Sequence, residues 1–267
     1  MMKKTWLIPA SIVGLVALYA ILYAWQPGGV RLLKILSDTL SAIFGLLATV
    51  LALKASQRFE PGVASRRVWL LFGIGMAVLT AAQFLWTFYH AFLDQVEPYP
   101  SFADLLWAIG YIPVLASLVL QYRALGVETS LRLKLTVLAA YSVALVVAFV
   151  ILLWPALSHP GQAAAIEIFV SAYYLIGDFS MAFIATLSLL VLWSGLVGRP
   201  WQYIVISMLL VAVADLMFSY GLLNNLYTIG GNLFSGVVDV VYLSAYVVAT
   251  AGAYQQVTLS LPSLNAE

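Results

Sequence analysis

The sequence contains no cysteine and few charged residues. Of its 267 residues, 9% are Asp, Glu, Lys or Arg, against about 25% in a typical soluble domain. The absence of cysteine excludes disulfides, thiolate nucleophiles and metal sites with Cys ligands. Histidine is scarce as well, because the chain has only His90 and His159, both near the ends of predicted helices. A zinc site built from several His ligands is therefore not expected.

Other chemistries are excluded by residues that the later part of the chain lacks. The last lysine is Lys134, so no late helix carries a lysine that could form a retinal Schiff base. The sequence has no glycine-rich phosphate loop with a lysine and no evident His beside a buried Ser. Haem bound by the two histidines is the alternative that this leaves open. We expect no enzyme activity, and the sequence identifies no cofactor and no metal.

Apolar residues are abundant and are arranged in long runs. Hydrophobic residues make up 64% of the chain, and several runs without a charge are long enough to cross a bilayer core of about 30 Å. The sequence predicts an all-α integral membrane protein, multi-pass in the cell membrane, with eight transmembrane helices. The predicted spans are 6–25, 34–55, 68–92, 102–122, 133–154, 164–193, 201–223 and 233–256.

Lysine and arginine are distributed unevenly between the predicted loops, and this bias predicts the orientation. One side has only Arg31 and Lys34. The other side has the remaining basic residues: Lys3, Lys4, Lys54, Arg58, Arg66, Arg67, Arg123, Arg132, Lys134 and Arg199. Both termini are therefore expected to be cytoplasmic.

The two halves of the chain resemble each other. Asp104–Tyr111 returns as Asp239–Tyr246, with Asp, two apolar residues, an aromatic residue, three small or apolar residues and Tyr. Trp69–Phe88 aligns with Trp201–Tyr220 in the same way. The further correspondences are Asp38 with Asp178 and Gln83 with Asp215. Such self-similarity predicts two same-orientation four-helix repeats, 1–125 and 126–267, in one compact bundle and related by an axis along the membrane normal.

Polar residues inside these spans are the candidate ligand-binding site, because ionisable groups in a membrane are costly and mark functional sites. Helix rise places them in the outer third of the bilayer. Spacings of three and four residues put each Asp on a helix face with aromatic residues. The expected second-repeat group comprises Asp178, Asp215, Asp239, Tyr174, Tyr242 and Tyr246. The expected first-repeat counterpart comprises Asp38, Gln83, Asp104, Trp107 and Tyr111.

The second group is the stronger candidate, because Asp215 corresponds to an uncharged Gln83. Structural interpretations compete with binding at each acid. Asp38 follows Lys34 by four residues and could pair with it, and Ser101 with Asp104 fits a helix capping box. Asp178 and Asp215 could instead make interhelical hydrogen bonds. Glu167, in an early helical turn, is interpreted as structural.

Several of these segments resemble a known family. Pro100–Tyr111 resembles the P-S-x-A-D-x-x-Y-x-x-x-Y element of multi-span N-terminal sensor domains in bacterial and archaeal signalling proteins, although Trp107 replaces the usual Tyr. Ala172–Asp178 is similar to their A-Y-P-x-x-D element, and Ala214–Phe218 and Asp239–Tyr246 resemble two more. Those domains precede GGDEF/EAL enzymes or histidine kinases. About eleven residues follow the last span, so no output domain is expected here.

The resemblance implies a sensory role, and three functions are compatible with the sequence. The first is a membrane sensor that binds a small molecule with a donor or positive group and signals through a protein partner or a second copy. The second is an accessory subunit of a membrane complex. The third is a proton- or cation-coupled transporter, which the lack of polar groups in the inner half disfavours. The partners expected are the bilayer, a small-molecule ligand and another protein chain, and no nucleic acid, because no basic stripe is present.

Overall fold

The structure is a computed structural model that describes residues 7–93, 99–127, 129–159, 164–192, 198–227 and 232–258. The described residues are helical apart from short connections and contain no β-strand. A π-helical turn at Tyr89–Leu93 extends the third helix. The α-helices are α1 Leu7–Trp25, α2 Gly29–Ser56, α3 Ala64–Phe88, α4 Phe102–Ala124, α5 Leu131–Leu152, α6 Trp154–Ser158, α7 Ala165–Leu192, α8 Arg199–Leu223 and α9 Leu233–Thr258.

Seven of these helices are long and apolar enough to cross a membrane, namely α2 to α5 and α7 to α9. The predicted all-helical class is thus confirmed, and these seven helices have the length and apolarity of the predicted membrane spans. The predicted span at 6–25 coincides with α1, but its described apolar part, Pro9–Trp25, is shorter than the other spans. An eighth span therefore stays a prediction. The short helix α6 was not predicted; it begins at Trp154, the last residue of the predicted span 133–154.

Six helices form a closed ring in the order α2, α3, α4, α7, α8 and α9, with α9 returning to α2. Close helix contacts in this ring depend on glycine. A Cβ on Gly75 would lie 2.5 Å from Val114 Cγ2, and one on Gly110 would lie 2.7 Å from Leu79 Cδ2. Small residues let membrane helices approach closely and gain dispersion contacts that lipid cannot match. The ring therefore brings the two chain halves together at two seams, α4 with α7 and α9 with α2.

The interior of the ring is filled by one apolar core to which all six helices contribute. At its centre the rings of Trp69 in α3 and Trp201 in α8 lie 4.9 Å apart, and Phe72 meets both edge-on at 6.1 Å. Trp69 and Trp201 were aligned with each other in the repeat, and both are buried. This core occupies the end of the bundle at which α3 and α8 begin.

The remaining two long helices lie on the periphery. α1 packs on α2 and α9, where Tyr19, Leu33 and Leu243 form a small buried cluster. α5 contacts α7 and α8. All residues of α5 are described, and none of them is buried. α5 is thus an apolar helix held against the ring by few contacts, with most of its surface available to lipid or to another chain.

Candidate functional site

Two carboxyl groups from neighbouring helices meet in the bundle interior. The hydroxyl of Tyr111 in α4 lies 2.7 Å from Asp178 Oδ1 in α7 and 2.9 Å from Asp215 Oδ2 in α8. The hydroxyl of Tyr242 in α9 donates to Asp215 Oδ1 at 2.5 Å. We call Tyr111, Asp178, Asp215 and Tyr242 the central cluster. It joins four of the six ring helices through side-chain hydrogen bonds.

The central cluster lies well inside the apolar stretches of its helices. Tyr111 and Tyr242 each stand nine residues after the first residue of α4 and α9. With a rise of 1.5 Å per residue, the cluster is about 14 Å from that end of the bundle. Asp178 is only 2% exposed. Burying a polar group at such a depth costs free energy unless the group is hydrogen-bonded. The hydroxyls of Tyr111 and Tyr242 provide these hydrogen bonds.

The hydrogen bonds of the central cluster allow it to hold a proton. A tyrosine hydroxyl carries a single hydrogen, which it can donate to one acceptor. Tyr111 contacts both carboxyl groups, so the second contact is a hydrogen bond only when one carboxyl is protonated and donates to the phenol oxygen. The four groups can therefore share one carboxyl proton among themselves. An arrangement of this kind can hold a proton, or exchange it for a cationic or hydrogen-bond-donating ligand.

The local sequence explains why Tyr111 reaches the acids. Gly177 precedes Asp178 in α7, and a Cβ at this position would lie 2.7 Å from Tyr111 Cδ2. The missing side chain makes room for the phenol ring. Tyr173 and Tyr174 then flank the ring, with centroids 6.5 and 5.8 Å away. The position of the Tyr111 hydroxyl is thus determined by packing from α7 itself.

Tyr174 hydrogen-bonds to a different acid, Asp104, and does not donate to the central cluster. Its hydroxyl donates to the backbone oxygen of Asp104 at 2.9 Å and contacts Oδ1 at 3.3 Å. Asp104 Oδ2 accepts from the backbone nitrogen of Ser101 at 2.7 Å, which completes the capping box predicted for α4. Tyr173 likewise donates to the Ala108 backbone oxygen at 2.6 Å. These bonds tie the start of α4 to α7.

Asp239 lies in a separate cluster between α1, α2 and α9. Tyr227 donates to Asp239 Oδ1 at 2.7 Å, and the Tyr23 hydroxyl bonds to the same carboxyl. Asp38 is near enough to interact electrostatically with Asp239. Burial, and then the Asp239 carboxylate, raise the pKa of the Tyr227 phenol well above its usual range, so this hydroxyl stays a donor. Tyr19 donates to Ser37 close by.

The other predicted site residues pack without joining the central cluster. Gln83 is buried in α3, where its backbone oxygen accepts from Thr87 at 2.8 Å. The rings of Trp107 and Trp86 lie 5.3 Å apart. Tyr246, one turn after Tyr242, is partly buried against the core. Glu167 accepts from the Ala164 nitrogen at 3.1 Å, in agreement with its structural interpretation.

The predicted division of these groups into two half-sites is wrong. Tyr111, assigned to the first repeat, contacts Asp178 and Asp215 of the second, and Tyr174 contacts Asp104. The reason is the ring closure, which places α4 against α7 and α2 against α9. Sequence reasoning also missed several contributing groups: Tyr19, Tyr23, Ser37, Tyr173 and Tyr227. The two adjacent tyrosines one turn before Asp178 were the available signal for Tyr173.

Two cavities adjoin these clusters. One of about 150 Å³ lies between α5, α7 and α8 and has Asp178 and Tyr141 in its wall. The other, of about 200 Å³, lies between α1, α2 and α9 and is lined by leucines and Tyr19. Within the described ranges, no group of three or more His, Asp or Glu side chains is arranged to hold a metal ion.

Comparisons with protein-family models, with curated proteins and with solved structures found no match to this chain. The geometry of the central cluster therefore carries the functional argument.

Proposed function

We propose that this chain is a membrane-embedded ligand-binding module that acts as a sensor, with the central cluster as its binding site. The observation that carries the proposal is the bridging of Asp178 and Asp215 by Tyr111, a residue of the other chain half. A ligand that donates hydrogen bonds or carries a positive charge would compete with Tyr111 for these carboxyl groups. Its binding would weaken the contact between α4 and the pair α7 and α8.

Such a change would be communicated through the packed core. Tyr111 belongs to the same core as the stacked Trp69 and Trp201. Cores packed at near-crystalline density transmit displacement and do not absorb it. A small movement of α4 relative to α7 would therefore shift the helix ends on the opposite side, where a partner protein would detect it.

The proposal includes eight spans, same-orientation repeats and cytoplasmic termini. The order of contacts around the ring supports the repeats, because α2, α3 and α4 follow one another as α7, α8 and α9 do. The aligned residues Trp69 and Trp201 also contact each other at the centre, as expected near an approximate two-fold axis. α1 and α5, the first helix of each repeat, are both peripheral.

The test is to purify the protein from its native membranes and to identify co-purified small molecules by mass spectrometry. We expect a molecule at about one per chain in the wild type, lost in Asp178→Asn and Asp215→Asn while both variants still insert and fold. Asp239→Asn, which removes a buried carboxyl from the other cluster, should retain it. If the two central variants lose thermal stability and bind as the wild type does, the acids are interhelical hydrogen-bonding groups only.

The exposed helix α5 favours a second candidate, an accessory subunit of a larger membrane complex. Its residues are apolar and unburied, which leaves room for a neighbouring chain. A photo-crosslinking residue at Val143, which is 65% exposed, distinguishes the two. A stoichiometric protein adduct in native membranes would favour the subunit, and adducts with lipid alone would favour the sensor.

A further inference from the structure

The cavity between α5, α7 and α8 is apolar except where it meets the central cluster. Phe179, Leu209 and Ala212 contribute to its walls, and Asp178 supplies a carboxyl group. Asp178 Oδ1 accepts from Tyr111. Asp178 also hydrogen-bonds to Asp215. A carboxyl group, ionised or protonated, has more lone-pair sites than these two partners use, so acceptor capacity remains for a further donor. A buried acceptor at one point of an otherwise apolar wall selects a ligand with one polar end.

α5 lines one side of this cavity through Tyr141. Tyr141 of α5 makes a 2.6 Å hydrogen bond to Thr186, and its ring meets Phe179 and Phe183 edge-on at 6.2 and 6.0 Å. Since α5 has no buried residue, these contacts are a large part of what holds it in place. A molecule dissolved in the hydrocarbon can therefore reach the cavity beside α5 without passing through water.

The second cavity provides an internal comparison. It lies behind another peripheral helix, α1, and is of similar volume, about 200 Å³. Its described lining residues include no carboxyl group, and the Tyr19 hydroxyl is already bonded to Ser37. This cavity offers an apolar ring burial similar to that in the first cavity, but no carboxyl group to accept from a donor.

We infer that the cavity beside Asp178 takes, from the bilayer, one small amphipathic molecule: a ring of about benzene size with a single hydroxyl or amine directed at Asp178. The size follows from the volume, since an apolar cavity of about 150 Å³ accommodates benzene. The inference rests on the proposed function, because it gives the ligand class and the route to the same acids. The ligand enters sideways, past α5.

The test is fluorine NMR on the protein in nanodiscs, titrated with para-fluorophenol and with para-fluorotoluene, which are similar in size. We expect saturable binding of the phenol, at least about tenfold tighter than that of the toluene, because the toluene leaves the buried Asp178 acceptor without this hydrogen bond and an unsatisfied buried group costs about 1–3 kcal/mol. Ala212→Leu, which fills the cavity, should abolish the preference, and Asp178→Asn should reduce it. Leu18→Trp, in the second cavity, should leave it unchanged.

Each contrary result overturns a stated part of the inference. Equal affinity for the two probes in the wild type would remove the role of Asp178. A preference that survives Ala212→Leu, and also Ala182→Leu in the same wall, would exclude this cavity, and the absence of saturable binding would exclude the ligand class. A co-purified molecule lost in Asp215→Asn and retained in Ala212→Leu would leave the proposed function standing and exclude entry past α5.

Discussion

At the scale of single residues, Tyr111 lies between two carboxyl groups that depend on it for hydrogen bonding. Tyr111→Phe keeps the ring and removes the bridging hydroxyl, so Asp178 loses its Tyr111 donor. A buried polar group deprived of its partner costs about 1–3 kcal/mol, and the free energy of unfolding should fall by that amount. Thermal unfolding in detergent measures the change. Tyr254→Phe, at a half-exposed ring, is the matched control and should be neutral.

A carboxyl proton shared within the central cluster would be directly observable. Infrared difference spectra should contain the carbonyl stretch of a protonated carboxyl group in the wild type. Asp178→Asn or Asp215→Asn should remove this band, because one remaining carboxylate can accept from Tyr111 without holding a proton. A band that persists unchanged in both variants would mean that the proton resides elsewhere.

Gly177 offers a second way to disturb the same contact without touching a polar atom. Gly177→Ala places a methyl group 2.7 Å from Tyr111 Cδ2 and forces the ring aside. We expect it to reproduce the loss of co-purified ligand predicted for the Asp178 and Asp215 variants, with a cost of about 1–3 kcal/mol for overpacking. Gly14→Ala is the control, since a Cβ there meets nothing within 4 Å. Equal behaviour of the two variants would contradict the packing argument.

The sequence could predict contacts between residues that are close together in the chain, but not contacts between distant residues. The capping box of Ser101 and Asp104 depends on residues within four positions of each other, so the sequence alone predicts it. The partners of Tyr111 lie 67 and 104 positions away, and nothing in its own segment indicates which helix it faces. The prediction that Tyr111 belongs to a site within the first repeat is wrong for that reason.

At the scale of helices, α3 and α8 depend on each other through their tryptophans. Trp201→Ala removes a ring that is 4% exposed and stacked on Trp69. Large-to-small substitutions of this type cost about 3–5 kcal/mol, and thermal unfolding should show it. Trp154→Ala, at a ring that is more than half exposed, should have little effect. A similar loss for both would place the main packing energy outside this core.

Helix positions were predictable from the sequence to within a few residues, but helix neighbours were not. A continuous apolar run fixes a span because it must cover the hydrocarbon thickness. It does not say which face meets protein, because lipid tails are as apolar as leucine. α3 and α5 are both long and apolar enough to cross a membrane. Yet α3 has ten buried positions, among them Trp69 and Gln83, and α5 has none.

At the scale of the whole molecule, the basic residues predict which end faces the cytoplasm. The chain lacks cysteine, so single cysteines at Glu60, between α2 and α3, and at Ser158, in α6, report the orientation cleanly. An impermeant maleimide should label Ser158→Cys on intact cells and Glu60→Cys only after permeabilisation. The converse labelling pattern would invert the predicted topology.

The crossing of hydrogen bonds between the two halves has a consequence for biosynthesis. Tyr111 is made 104 residues before Asp215, and Phe44, whose backbone oxygen accepts from Thr250 at 2.8 Å, is made 206 residues before its partner. At about 5–20 residues per second, α4 waits on the order of 5–20 seconds in the bilayer before Asp215 emerges from the ribosome. During that interval the ring is open along both seams. Until α9 has been translated and the ring can close, the early helices must therefore be stable in lipid or be covered by the insertion machinery.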